Sequence, residues 1–140
     1  VQTCALPISF REALQMTLVM HYAVINEDPH SGQAPGRLAQ VLNPFYEKDL
    51  EDGTITEEDA IELFELYRIK MTCIECLSSP AISNGINAGN TFNNVSIGGV
   101  KANGKSAVTP LDYLLIEAGM RAPTTQPTLS LLYEIGRAHV

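Results

Sequence analysis

The chain has 140 residues, 45% of them apolar, which is enough for one ordinary domain with a buried core. Its 16 acidic residues against 9 basic ones give a net charge of −7 with no Lys/Arg cluster, so neither nucleic acid nor an anionic membrane surface is expected as a partner. No apolar run reaches the roughly 20 residues that span a bilayer, no signal-peptide pattern opens the chain, and three cysteines make no disulfide framework, so a reducing cytoplasm is the expected setting.

Residues 1–8 (VQTCALPI) and 135–140 (IGRAHV) read as in-frame translations of sequencing-adapter DNA, and both stretches are expected to be non-native. Within residues 9–134, Phe10, Ala13, Leu14, Thr17, Leu18, His21 and Val24 recur at helical spacing behind a Ser9/Glu12 capping pattern, which predicts a helix to about Ile25. Met16, Val19, Met20 and Ala23 make its other face apolar too, as in a helix covered on most sides inside a larger protein. Asn26 to Gly36 is too rich in Pro and Gly to continue it and reads as a loop. A second helix is expected from Arg37, kinked or divided by Pro44 and ended by Asp52-Gly53.

The third helix should start behind Thr56, with Glu57, Glu58 and Asp59 suiting the positive end of its dipole, and should reach about Leu77. Ala60, Leu63, Phe64, Tyr67, Met71 and Ile74 form its apolar stripe, widened by Ile61, Leu66 and Ile69. Ser78 to Asn94 is polar and Gly-rich and reads as a long loop, a kind of segment often used for function. Val95 to Val100 suits a buried strand, followed by a turn at Ala102 to Lys105. Thr109 with Pro110 then opens a helix to about Met120, and Thr128 to Tyr133 reads as a second strand. Strand, helix and strand make a βαβ unit with parallel strands.

Local chemistry is sparse. Cys73 and Cys76 form a CxxC pair that could share a metal ion, which would make the chain a helical metal-binding module, but the other ligands of a closed zinc site are missing from the pattern. His21 reads as a core histidine bonded to a nearby carbonyl, and Asn90, Asn93 and Asn94 around Phe92 read as turn formers. His30-Ser31, flanked by Pro29 and Gly32, could present polar side chains to a ligand.

Several stretches together resemble glycyl-radical enzymes of the pyruvate formate-lyase superfamily: FREALQ at Phe10, PGR at Pro35, NPFYEKDLEDGTIT at Asn43, SIGGV at Ser96 and QPTLSLLY at Gln126. NED at Asn26, ELYRIKMTCIEC at Glu65, GNTFNNVSIGG at Gly89 and MRAPTTQPTLSLLY at Met120 look most like the arylacetate decarboxylase branch. The resemblance implies that residues 9–134 are a fragment of the catalytic domain, an α/β barrel segment of outer helices plus the βαβ unit. It implies radical decarboxylation of 4-hydroxyphenylacetate or a related arylacetate by a longer protein. A glycyl radical would be installed there by an S-adenosylmethionine-dependent iron–sulfur activating enzyme, and that protein would be a homo-oligomer with room for a small iron–sulfur subunit.

The Gly-Cys-x-Glu loop and the radical glycine of that family have no counterpart in this sequence, so no catalytic residue, metal ligand or bound cofactor is assigned to it, and the fragment alone is expected to be inactive. By resemblance Ser31 contacts the substrate carboxylate and Phe92 packs against its ring. His30 departs from the decarboxylase pattern, and other branches place a His-Ser pair on this loop to hold hydroxylated substrates. A dehydratase or C–N lyase is therefore the alternative.

Overall fold

A computed structural model of the chain describes residues 6–27, 34–74 and 93–132. Helix α1 (Phe10–Glu27) begins where its capping pattern predicts. Ser9 Oγ accepts the Glu12 N–H at 3.3 Å, and the Glu12 carboxylate accepts the N–H of Ile8, one residue earlier than a regular capping box. A second acceptor comes from α2 (Leu38–Glu51): Asp49, buried, takes the Phe10 N–H at 2.7 Å. An amide left without a partner at the helix start is thereby satisfied from a neighbouring helix.

The helix α2 runs unbroken through Pro44 rather than being divided there, and it ends at Asp52 with Gly53 at a φ of 66°. That left-handed position suits glycine, and it lets Gly53 and Thr54 bond back to Leu50 and Asp49. Helix α3 (Glu57–Thr72) has the full Thr56/Asp59 capping box but stops at Thr72, short of the expected Leu77. Cys73 caps its end rather than lying inside the helix as expected. No Gly or Pro marks this stop in the sequence.

The C-terminal part is the expected βαβ unit. Strands β1 (Asn94–Gly98) and β2 (Thr128–Leu132) pair in parallel from Asn94↔Thr128 to Gly98↔Leu132, joined through α4 (Pro110–Arg121). Asp112 fixes this joint. One of its carboxylate oxygens accepts the Thr109 N–H at 2.6 Å, closing the α4 cap, and the other accepts the Gly98 N–H at 3.2 Å at the end of β1. On the other side of β1, Ser96 donates to the Gly36 carbonyl at 2.8 Å, which ties the start of α2 to the strand.

Phe10 sits at the centre of the helical core, edge-on to Tyr46 of α2 at 5.7 Å and to Phe64 of α3 at 5.5 Å between ring centroids. Leu111, Leu115 and Ala118 of α4 and Val95 and Ile97 of β1 continue the same core. Burial of each large apolar side chain there contributes about 1.5–3 kcal/mol. Two members of the predicted stripe are elsewhere: Leu66 and Ile69 are 51% and 45% exposed, because α1 and α4 cover α3 along a narrower arc than the sequence suggests. Met16, Val19, Met20 and Val24 of α1 are exposed as well, since the described residues pack on only one side of that helix. No helix of the described residues is long and apolar enough to cross a membrane.

Candidate functional site

The two expected substrate contacts, Ser31 and Phe92, lie outside the described residues, as do His30 and Cys76. The chain next to them is in view. The segment carrying Ser31 resumes at Ala34 and leads through Gly36 into α2, and the segment carrying Phe92 resumes at Asn93 and leads into β1. Gly36 is bonded to Ser96 of β1, so the two segments rejoin the fold beside the same strand.

Asn93 is fully buried and is not the turn former the sequence suggested. Its side-chain oxygen lies 3.0 Å from Nε2 of His21 on α1, and its backbone carbonyl accepts both the N–H and the hydroxyl of Thr128, at 2.9 and 3.1 Å, at the start of β2. Burial lowers the His21 pKa below its usual value, with the Asn93 bond opposing part of that shift. The imidazole is therefore neutral at pH 7 and donates from Nε2 to the amide oxygen. His21 is thus the carbonyl-bonded core histidine that its place on the apolar face predicted. It also lines an open depression of about 310 Å³ between α1 and α2, with Met16, Met20, Pro35, Leu38 and Val41.

A second buried cluster was not foreseen. Arg68, 4% exposed on α3, donates through Nε to the Ala122 carbonyl at 3.3 Å, through one terminal nitrogen to Pro127 at 3.1 Å, and through the other to Thr124 at 3.2 Å. Thr72, one turn later, donates its hydroxyl to the Gln126 carbonyl at 2.9 Å. The fork geometry of a guanidinium lets one side chain hold three carbonyls of the link between α4 and β2. Burial pulls the Arg68 pKa down from its usual high value, and carbonyl dipoles rather than a carboxylate face its charge among the described residues. The acceptors lie 54 to 59 positions away, so no local pattern in α3 marks this arginine as buried.

These clusters hold and align backbone; they do not present a reactive group. Cys73 is a free, exposed thiol, and among the described residues no group of three or more His, Cys, Asp or Glu side chains could hold a metal ion. Residues 93–132 instead form a hydrogen-bonded βαβ joint that begins at Asn93, the residue after Phe92 in the chain.

Comparison with known proteins identifies the family. The family model described as pyruvate formate lyase-like matches residues 5–136. The chain is 63% identical over 128 residues to the 4-hydroxyphenylacetate decarboxylase glycyl radical subunit of Clostridium scatologenes, covering 91% of this chain and 14% of that protein. It is 38% identical over 127 residues to indoleacetate decarboxylase of Tractidigestivibacter scatoligenes, covering 90% of this chain and again 14% of the relative. Among solved structures, hydroxyproline dehydratase from Clostridioides difficile with trans-4-hydroxy-L-proline bound superposes with a TM-score of 0.84 at 27% identity, over 94% of this chain and 17% of that one. The chain thus spans about one seventh of the length of the curated relatives it matches.

Proposed function

Because the chain belongs to the pyruvate formate lyase-like family and is a segment of a glycyl-radical enzyme of mixed helix and parallel strand, we propose that the whole protein decarboxylates 4-hydroxyphenylacetate or a related arylacetate. The observation that carries this reading is the gradient of identity: 63% to a 4-hydroxyphenylacetate decarboxylase subunit, 38% to an indoleacetate decarboxylase, and 29% to a hydroxyproline dehydratase. In the reaction the bond from the methylene carbon to the carboxyl group breaks, carbon dioxide leaves, and a hydrogen takes its place to give the methylarene. When present, the glycyl radical supplies one-electron oxidation of a cysteine thiol in this family, and neither that cysteine motif nor the radical glycine occurs in this sequence.

The chain's own contribution is binding and alignment. The Ser31 hydroxyl donates to the substrate carboxylate, which orients it without giving it a full counter-charge in a dry pocket. Phe92 packs its face against the substrate ring. The Asn93 and Arg68 clusters hold β1 and β2, and Asn93 follows Phe92 directly in the chain. Residues 1–8 and 135–140 we take as non-native, leaving 9–134 as the catalytic-domain segment. The working setting we propose is an oxygen-free cytoplasm, because oxygen destroys glycyl radicals. A separate S-adenosylmethionine-dependent activating enzyme, a small iron–sulfur subunit and self-association of the large subunit belong to the same proposal.

A hydrogen bond to a charged group contributes about 1.5–3 kcal/mol, so Ser31→Ala in the full-length enzyme should raise KM for 4-hydroxyphenylacetate about tenfold or more. An unchanged KM counts against Ser31 as a carboxylate contact. A second reading, a dehydratase that uses His30 and Ser31 on a hydroxylated substrate, draws on the close superposition with the hydroxyproline enzyme. Turnover of hydroxyproline or a vicinal diol by the activated protein, with no release of carbon dioxide from arylacetates, favours it.

A further inference from the structure

We propose that Asn103-Gly104 is a site of spontaneous modification, where the side-chain amide is lost to water through a cyclic imide, and that the turn around it sets the rate. Asn103 is exposed in the connection from β1 to α4. Gly104 has no side chain to keep its nitrogen away from the Asn103 side-chain carbon, so the two atoms can close a five-membered ring. A bond forms between the Gly104 backbone nitrogen and that carbon, and the bond from the carbon to the amide nitrogen breaks. The Gly104 amide proton is lost to base, the departing nitrogen takes up a proton, and ammonia leaves. Water then opens either side of the ring and leaves aspartate or isoaspartate at position 103. One amide and one water thus give one carboxylic acid and one ammonia, with no change of oxidation state.

Two hydrogen bonds of the turn act in opposite directions. The Lys105 N–H donates to the Asn103 side-chain oxygen at 3.1 Å, where it steadies the negative charge that grows on this oxygen as the ring closes. Water offers the same donor at an exposed position, so this bond adds little. The Gly104 N–H donates to the Lys101 carbonyl at 2.9 Å, and the nitrogen must give up that proton before it can attack. Opening such a bond slows the step about threefold to tenfold. The second effect is the larger, so the folded turn reacts more slowly than the same sequence without a fold. The base of the turn is also held: the Lys101 N–H donates to the Lys105 carbonyl at 2.8 Å, Val100 bridges to Ser106, and Arg37 donates to the Val100 carbonyl at 2.8 Å. Isoaspartate adds one methylene to the backbone inside this turn, so conversion loosens the exit from β1.

The test incubates the full-length protein at mildly alkaline pH beside a synthetic peptide of residues 99–108. Amide loss is followed by mass in a digest fragment that holds Asn103 and excludes the other Asn-Gly pair, Asn84-Gly85. Conversion in the protein should run about threefold to tenfold slower than in the peptide and should yield both acids, as ring opening requires. Ala102→Pro sets φ at a turn position that favours proline, and the Ala102 N–H makes no backbone bond among the described residues, so the turn should stay closed for longer and conversion should slow a further twofold to fivefold or about that. Ala102→Gly should speed it by a similar factor. The same two changes in the peptide, which has no fold to stiffen or loosen, should alter its rate by less than about twofold. Equal rates in protein and peptide overturn the proposal, as does an Ala102→Pro effect no larger than in the peptide. Aspartate as the sole product rules out the ring, and a protein more than about a hundredfold slower than the peptide rules out the site.

Discussion

Replacing Arg68 with methionine should free the start of β2. The guanidinium holds three carbonyls of the link that delivers the chain from α4 into that strand. Methionine fills much of the same space but leaves buried carbonyl oxygens without donors, at a cost on the order of 3 kcal/mol. Amide hydrogen exchange in the full-length protein is the suitable readout, because a local opening can be measured even where global unfolding is not two-state. Protection of the amides in Thr128–Leu132 should fall by about two powers of ten, while those in the middle of α1 change little. Lysine at the same place keeps the charge but not the fork, and should recover only part of the protection. Equal protection in the parent and in Arg68→Met would mean that Thr72 and strand pairing alone hold the link.

The 140-residue chain by itself should show neither decarboxylase activity nor a cooperative thermal transition. Among the described residues its two strands pair only with each other and with Gly36, and a sheet of that size is marginal without further strands. Val41 is 61% exposed and Leu131 69% exposed, and together with Met16, Val19, Met20 and Val24 they leave apolar surface uncovered on both the helical and the strand side. Among the described residues the Tyr67 hydroxyl and the Asn43 side-chain oxygen are buried without hydrogen-bond partners, which a complete domain rarely tolerates. Near-UV circular dichroism of the isolated chain should therefore fade gradually on heating, and the chain should bind a hydrophobic dye at room temperature. A single sharp transition, with no dye binding, would show instead that this segment is an autonomous domain.

The parts of this structure that were legible in the sequence are those governed by neighbours along the chain. Thr56 with Asp59, and Thr109 with Pro110, mark helix starts because a cap bonds within its own first turn. The apolar runs at Val95 and Leu129 gave both strands, and the helix between them gave their parallel pairing. The features that were hidden depend on partners distant in sequence. Arg68 reads as one more charge on a surface helix until the carbonyls beyond Ala122 are seen around it. Asp49 and Asp112 look like solvated acids, yet each is buried and accepts a backbone N–H from another element. Asn93 in an Asn-rich stretch looks like a turn residue, and its bonds to His21, 72 positions earlier, and to Thr128 show otherwise. The stop of α3 at Thr72 is a related case, since no residue there breaks a helix. Of the candidate site itself, Ser31 and Phe92 rest on family resemblance, and the structure contributes the frame to which their segments attach.

The central claim is that the whole protein removes carbon dioxide from an arylacetate. The direct test is to activate the full-length gene product under strict anaerobic conditions and supply 4-hydroxyphenylacetate carrying an isotope label in its carboxyl carbon. Labelled carbon dioxide should appear in equal amount with 4-methylphenol, and only while the glycyl radical is detectable by electron paramagnetic resonance. A protein that carries the radical, leaves the labelled acid intact and dehydrates a hydroxylated substrate would contradict the account.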